Sequence, residues 1–547
     1  MPHANIDAIH YSTKENHMMP DTKHTMSLAV RKAYKDGQED ETLSPLVFRN
    51  ADGRPVGTMK NGDAVIFYNI RGEREIELTR CLTDPTFDKF SSEKNLKLHF
   101  ATMIEYEKSL NVHVAFPPDG FVEDTLSETI SRQHLKQAKI TETEKAVHVG
   151  FFLNGKRSDV FPGEERILIP TRKDVDLFDK APEMSIEDVT HAVIEKIQDD
   201  SCSFIFANFP NVDVVGHIEN EGAVIRAVEA VDSCAGRVVD EALKERLTVV
   251  ISADHGTVEK WLYPDGIVDT GHTDSCVPFI LVHPDHHDFT LRSEGELSDI
   301  APTVLDLMGI PKPSSMTGRS LIESASKQKT GHTKRLLLLI LDGWGENPDH
   351  RGNLIAQART PNMDRLRKTF PFTTLAASGE AAGLPEGTVG NSEAGHLHIG
   401  AGRRIYADRV RIDRAIADGS FFHNSAFLHV MHAAKKTNHS LHLIGIVSFF
   451  SSHGSVNHLL ALMDLAKIAG VREVFIHVML GRRGEIPESG ANYIEQVENK
   501  AEEINLGKVV SVIGRYWSMD REENWDRIEK TYRMLVYGEG VPITERA

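Results

Sequence analysis

Short runs of β-branched, leucine or aromatic residues alternate along this chain with longer stretches whose apolar positions recur every three to four residues. Apolar runs of strand length bounded by turn residues read as buried strands, and the 3.6-residue period reads as amphipathic helix. Buried strands are expected at residues 64–69, 203–208, 247–252, 336–341, 441–447, 474–479 and 509–513. Helical stretches follow several of them, 221–243 and 459–469 among them. That alternation predicts an α/β fold built on parallel sheets with helical crossovers. No repeat of solenoid period is visible. Residues 1–24 are polar and histidine-spotted and read as a leader. Residues 323–334 (ESASKQKTGHTK) form a polar join directly before the most hydrophobic strand, LLLLIL, and divide the chain into two halves.

Composition narrows the class. At ~150 residues per domain, 547 residues suit three to four small domains or two large ones. A chain that is 40% hydrophobic and 26% charged is neither disordered nor collagen-like. A net charge of −18 argues against a general nucleic-acid or anionic-membrane binder. The apolar run at 336–341 is far short of the ~20 residues that span a bilayer. The first residues lack an apolar core of signal-peptide length. Cys81, Cys202, Cys234 and Cys276 are widely separated, which suggests neither a disulfide framework nor a thiolate zinc site. A soluble cytoplasmic protein is expected.

Ligands of open α/β sheets sit outside the carboxyl ends of the strands. Two kinds of residue stand there. LLLLILDGWG ends in Asp342, FIFANFPNVDVVGH supplies Asp213 and His217, VVISADHG supplies Asp254 and His255, and DTGHTD supplies His272. One such aspartate is ordinarily a helix cap or turn former. Three strand ends that each carry Asp or Asp/His point instead to carboxylate–imidazole binding of Mn, Zn or Mg in phosphoryl transfer. Ser392 lies in the glycine-rich turn GTVGNSEAGHLHIGAG, where a neighbouring cation would favour its ionised form and attack on phosphorus. The second kind is basic: Arg71 and Arg74, Arg482 and Arg483, Arg515 and Arg521, and His453 all follow strands. Single surface arginines are normally solvated, but several at strand ends of an acidic protein suit a small polyanion. HPDHHD (283–288) is dense in potential ligands yet irregular, and reads as a surface loop.

LDGWG, GNSEAGH, NFPNVDVVGH, ADHG, the HT of DTGHTD, TETEKAVHV, NIRGER and IGRYWSMDRE together resemble the cofactor-independent (2,3-bisphosphoglycerate-independent) phosphoglycerate mutases of the alkaline-phosphatase superfamily. The resemblance covers roughly residues 25–547, but in another order. Residues 334–547 look like the family's first half and residues ~25–322 its second, so the chain looks circularly permuted, with 323–334 joining the old termini. The resemblance implies a metal-binding, phosphatase-like domain at 120–406 and a smaller transferase-like domain assembled from 25–118 and 408–547.

Carried over by motif, one metal would be held by Asp213, His217 and His272. The other would be held by Asp342, Asp254, His255 and the nucleophile Ser392. Lys145 would contact the transferring phosphoryl group, and His453, Arg483, Arg515, Arg521, Arg71 and Arg74 would bind substrate. The cofactors implied are two divalent ions, Mn2+ first, with Zn2+, Mg2+ or Co2+ as alternatives, and no 2,3-bisphosphoglycerate. The substrate would be a small phosphorylated carboxylate handled by a monomer, with neither nucleic acid nor membrane as partner. Two departures stand out. The family's GGVHSH is SSHGS here (451–455), and its DGRDTPP is GRRGEIP (481–487), which puts Gly484 where the family has an aspartate. A carboxylate near a hydroxyl can serve as general base and glycine cannot. The leading expectation is therefore a mutase interconverting 3- and 2-phosphoglycerate through phosphoserine. The alternatives are a mutase-derived phosphotransferase acting on a phosphoglycerate-like or phosphonate intermediate of a specialised pathway, and a catalytically dead binding protein.

Overall fold

A computed structural model describes residues 24–285, 289–323, 332–448, 452–481 and 488–544. Strands β1 (Leu46–Arg49), β2 (Ala64–Phe67), β3 (His99–Ile104) and β4 (His113–Phe116) come first. The middle of the chain supplies β5 (Lys136–Glu142), β6 (Glu164–Ile169), β7 (Cys202–Phe209), β8 (Thr248–Ser252), β9 (Val277–Val282), β10 (Gly295–Glu296), β11 (Leu336–Leu341) and β12 (Phe372–Ala376). The last are β13 (Leu441–Ile446), β14 (Val474–Leu480), β15 (Lys508–Gly514) and β16 (Val541–Thr544). The chain divides into two compact units, Asp119–Arg411 and the pair of segments Met1–Pro118 and Ile412–Ala547. Each is an α/β unit around one eight-stranded sheet.

In the unit Asp119–Arg411 the strand order is β10-β12-β9-β8-β11-β7-β5-β6. β11 lies between β7 and β8 and is parallel to both. All six of its residues are buried, which is why LLLLIL is apolar without alternation. Burying each such side chain contributes roughly 1.5–3 kcal/mol, so a charge anywhere in β11 would be costly. The sheet is mixed, not purely parallel, because β9 runs antiparallel to both β8 and β12. The other unit has the order β16-β1-β15-β14-β13-β2-β3-β4, parallel except where β1 meets β15. Helix starts follow local chemistry. Asn220 accepts the Ala223 amide and begins the helix Glu221–Lys244, and Ser455 accepts the Asn457 amide and begins Val456–Ala469. No helix among the described residues is long and apolar enough to cross a membrane. Residues 1–23, most of the join (324–331), residues 286–288 of HPDHHD and residues 449–451 of the altered loop lie outside the described residues.

Candidate metal centre and anion cluster

Four adjacent parallel strands, β8, β11, β7 and β5, end on the same side of their sheet, and the residues just beyond them converge. Asp342 follows β11. Asp254 and His255 follow β8. Asp213 lies in the short helix Asn211–Gly216 after β7, with His217 as its C-cap. Lys145 ends a single 3-10 turn, Thr143–Lys145, after β5. Ser392 is not in an open turn as the glycine-rich sequence suggests. It is the first residue of the helix Ser392–Ala401, because Asn391 caps that helix by accepting the Ala394 amide. A helix N-terminus favours negative charge beside it.

Lys145 Nζ is the hub. It donates to Asp213 Oδ2 at 2.7 Å, Asp342 Oδ1 at 2.8 Å and Ser392 Oγ at 2.7 Å. His255 Nε2 lies 2.9 Å from Ser392 Oγ on another side. Asp213 Oδ1 lies 3.0 Å from His272 Nε2 and 3.3 Å from His217 Nε2. His272 and His217 are each oriented from behind, their Nδ1 atoms at 3.0 Å from Gly390 O and 2.7 Å from Thr270 O. Asp342, Asp254 and His255 are fully buried, whereas the His217 side chain is 47% exposed and marks the solvent side.

Two groups of ligand atoms come within 4.8 Å of one another, Asp213–His255–His272 and Asp254–His255–Asp342. His255 is common to both, and His217 adjoins the first at 3.2 Å from His272 Nε2. Two further observations fit divalent cations here. Asp254 Oδ2 is buried without a hydrogen-bond partner, although His396 Nδ1 stands 3.2 Å away. Three buried carboxylates also share a single buried ammonium. Burial works against Lys145 carrying charge, yet Asp342, Asp213 and Asp254 together hold its ammonium well above the usual lysine range. Burial likewise opposes ionisation of Asp213, but Lys145 and the bonds from His217 and His272 hold its carboxyl well below the usual range. Asp342 is pushed up, by burial first and then by the charge of Asp254. The site is short of positive charge, and its oxygen and imidazole donors are the set that Mn2+, Zn2+ or Mg2+ takes.

Two residues that strand-end reasoning did not single out complete the site. Asn208, inside β7, donates to Asp342 Oδ2 at 2.8 Å and lies 3.2 Å from His396 Nε2. His396, fully buried, connects Asn208 with Asp254 and lies 3.0 Å from the Ser392 carbonyl. Both stand inside motifs already conspicuous in the sequence, FANFPNVD and GNSEAGH, but nothing in their spacing marks them as holding ligands in place.

In the other unit the basic residues gather after β2, β13 and β15. Arg71 Nε lies 2.6 Å from Glu73 Oε1, and Arg521 lies 3.2 Å from Glu73 Oε2. Arg74 donates to the Met519 carbonyl at 3.0 Å. Arg74 and Arg515 line one cavity of about 160 Å3, with Glu41, Asp520 and Arg527. His453 is buried, and its Nδ1 lies 3.3 Å from Glu75 Oε1, to which Asn69 Nδ2 also donates at 2.7 Å. Glu73, Glu75 and Asn69 are therefore the acidic and amide partners that hold this cluster, all of them within or beside NIRGER. Arg482, Arg483 and Gly484 lie outside the described residues.

A sequence profile described as the Metalloenzyme superfamily matches residues 3–312. The chain belongs to that superfamily. A second profile, described as the N-terminus of BPG-independent PGAM, matches residues 412–547. Relatives named 2,3-bisphosphoglycerate-independent phosphoglycerate mutase include one from Moorella thermoacetica, 44% identical over 297 residues, which are 54% of this chain and 57% of the relative. Another from Syntrophotalea carbinolica is 45% identical over 296 residues, with coverage of 54% and 57%. The chain thus spans somewhat over half the length of the curated relatives it matches. A Leishmania mexicana phosphoglycerate mutase crystal structure, obtained at low cobalt concentration, matches at 28% identity over 50% of this chain and 53% of its own, with a TM-score of 0.35.

Proposed function

We propose that this superfamily member is a metal-dependent phosphoglycerate mutase that interconverts 3- and 2-phosphoglycerate through phosphoserine at Ser392. The observation that carries the reading is the placement of Ser392 Oγ, 2.7 Å from Lys145 Nζ and 2.9 Å from His255 Nε2, amid three buried carboxylates. The names of the relatives support the choice of substrate. Asp213, His217 and His272 would hold one divalent ion, and Asp342, Asp254, His255 and Ser392 the other. Mn2+ is the first choice, with Zn2+, Mg2+ or Co2+ as alternatives. The ions would supply Lewis acidity at phosphorus and lower the pKa of the serine hydroxyl.

In the forward half-reaction Ser392 Oγ forms a bond to phosphorus as the bond from phosphorus to the substrate's 3-oxygen breaks. The serine proton ends on that oxygen. Lys145 stabilises the charge on the transferring group. The second half reverses these changes at the 2-oxygen, and the proton returns to Ser392. We assign the substrate's charged groups to Arg71, Arg74, His453, Arg483, Arg515 and Arg521. The unit Asp119–Arg411 is then the phosphatase-like domain and the other the transferase-like domain of a cytoplasmic monomer that does not need 2,3-bisphosphoglycerate. A profile described as an N-terminus that matches the last 136 residues supports a circular permutation, with 323–334 as the join of the former ends.

Gly484 and the SSHGS loop favour a second reading, a phosphotransferase of the same chemistry acting on a phosphoglycerate-like or phosphonate intermediate of a specialised pathway. Chelator-stripped protein, restored with Mn2+ and supplied with 3-phosphoglycerate, should form product that enolase converts to an absorbing enol phosphate. Absence of turnover with Mn2+, Zn2+, Mg2+ and Co2+ alike overturns the mutase reading.

A further inference from the structure

The sheet of the unit Met1–Pro118 with Ile412–Ala547 carries a line of buried polar side chains that the reaction does not use. Asp63 stands just before β2, His442 is the second residue of β13, His477 the fourth of β14 and Ser511 the fourth of β15. None is more than 3% exposed. Asp63 Oδ2 lies 3.1 Å from His442 Nε2, His442 Nδ1 lies 2.9 Å from His477 Nε2, and His477 Nδ1 lies 2.8 Å from Ser511 Oγ. The amides of Lys60 and Ser440 also donate to Asp63, at 2.7 and 3.2 Å, and His439 Nδ1 lies 3.1 Å from its Oδ1.

A carboxylate only accepts, so with His442 neutral the whole line has one direction. His442 donates from Nε2 to Asp63, His477 donates from Nε2 to His442 Nδ1, and Ser511 donates its hydroxyl to His477 Nδ1. Burial keeps the His477 imidazole neutral to well below the ordinary histidine pKa. The line satisfies every ring nitrogen in a place where an unpaired one would be costly.

Its position matters as much as its bonding. It crosses four neighbouring strands in the order β15-β14-β13-β2, and the chain beyond β15, β13 and β2 carries Arg515 and Arg521, His453, and Arg71 with Arg74. The register of β14 on β15 also breaks beside it. Ile476 pairs with Val509 but His477 with Ser511, so Val510 is an extra residue without a partner. Such a bulge shifts every later side chain by one position, and a one-residue slip turns each to the opposite face. Ser511 and His477 are the first pair after the bulge, and the shifted register runs on to Leu480 opposite Gly514, the residue before Arg515.

We propose that the Asp63–His442–His477–Ser511 line is a positioning network that pins the bulge at Val510 and so holds Arg515 in register with the other anion-binding residues. This rests on the assignment of Arg515 to substrate binding made above. Ser511→Ala removes the terminal donor and Ser511→Thr retains it. In the metal-loaded full-length protein, Ser511→Ala should raise KM for 3-phosphoglycerate about tenfold with kcat changed less than about twofold, the signature of lost binding. Ser511→Thr should restore KM to within about twofold. Arg515→Gln is the reference. If it raises KM and Ser511→Ala does not, the positioning role is refuted while the substrate assignment stands. If Arg515→Gln leaves KM unchanged, the substrate assignment itself fails. The unaltered protein gives a test that needs no folded variant: nitrogen-15 spectra of the histidine rings at pH 8 should show His477 protonated on Nε2 and bare on Nδ1. A His477 proton on Nδ1 overturns the network as drawn.

Discussion

Lys145 holds together a cluster that would otherwise repel itself, and replacing it with methionine isolates that role. Methionine nearly matches lysine in volume, so the change removes charge without opening a large cavity. In wild type the ammonium is 4% exposed and lies 2.7 and 2.8 Å from two buried carboxylates, with Asp254 adding a third negative group. Removing one partner of a buried ionic cluster typically costs ~3–5 kcal/mol, because uncompensated charge stays behind. For a unit the size of Asp119–Arg411 that corresponds to a melting temperature lower by roughly 5–8 °C. The effect should appear in chelator, where no bound cation takes over the neutralisation that Lys145 supplies. Mn2+ should then raise the melting temperature of Lys145→Met more than that of wild type, since the cation supplies the charge the variant lacks. Calorimetric melts of both proteins, with chelator and with Mn2+, give all four values. A Lys145→Met protein that melts with wild type in chelator, or gains no more from Mn2+, would refute the reasoning that this centre is short of positive charge.

Ser392→Ala should leave the fold intact by circular dichroism and lower phosphoryl transfer at least about 10³-fold in the coupled assay. Near-normal turnover would exclude the covalent route. Burial pushes the Glu142 carboxyl up to about 7, although the Ser185 amide bonds it. A folded pKa above the unfolded value means stability that is present below pH ~4.5 and lost as pH rises through about 7. Glu142→Gln should therefore melt higher than wild type at pH 8 and equal to it at pH 4.5, and equal melts at pH 8 would contradict this. Gly484→Asp puts a carboxylate where the resembled family has one, and a positioned base typically contributes ~10²–10⁴-fold, so mutase turnover should rise. If wild type turns over 3-phosphoglycerate rapidly and the aspartate adds nothing, the altered-substrate reading falls.

Much of the candidate metal centre was legible because its acidic and imidazole residues follow strands that are buried at nearly every position. Asp342 after LLLLIL and Asp254 after TVVIS could be placed by counting. β5 was not legible. KQAKITE looks exposed, yet Gln137, Lys139, Thr141 and Glu142 are buried, and Lys139 is satisfied only through Asn154 and Glu164, which are distant in sequence. Lys145 was therefore placed by motif resemblance and not by strand pattern. β3 and β4 contain histidines and are short, and β9 and β12 bring the antiparallel pairings that strand–helix alternation does not announce. The helix at Ser392 was hidden by its glycines, since its start depends on one asparagine cap. Asn208, His396, Glu73 and Glu75 escaped for a shared reason. Each acts by orienting another side chain, and such pairings appear only once the chain is folded.

If Ser392 carries the phosphoryl group and needs divalent metal to do so, the phosphoserine can be trapped and its metal dependence read directly. Metal-stripped and Mn2+-restored protein should each be mixed with 3-phosphoglycerate, quenched in acid within the first turnovers and digested for peptide mass spectrometry. One phosphate should appear on the peptide containing Ser392 in the Mn2+-restored sample and none in the stripped one. Product formed with that peptide unmodified, or phosphate on Ser392 in both samples, would contradict this.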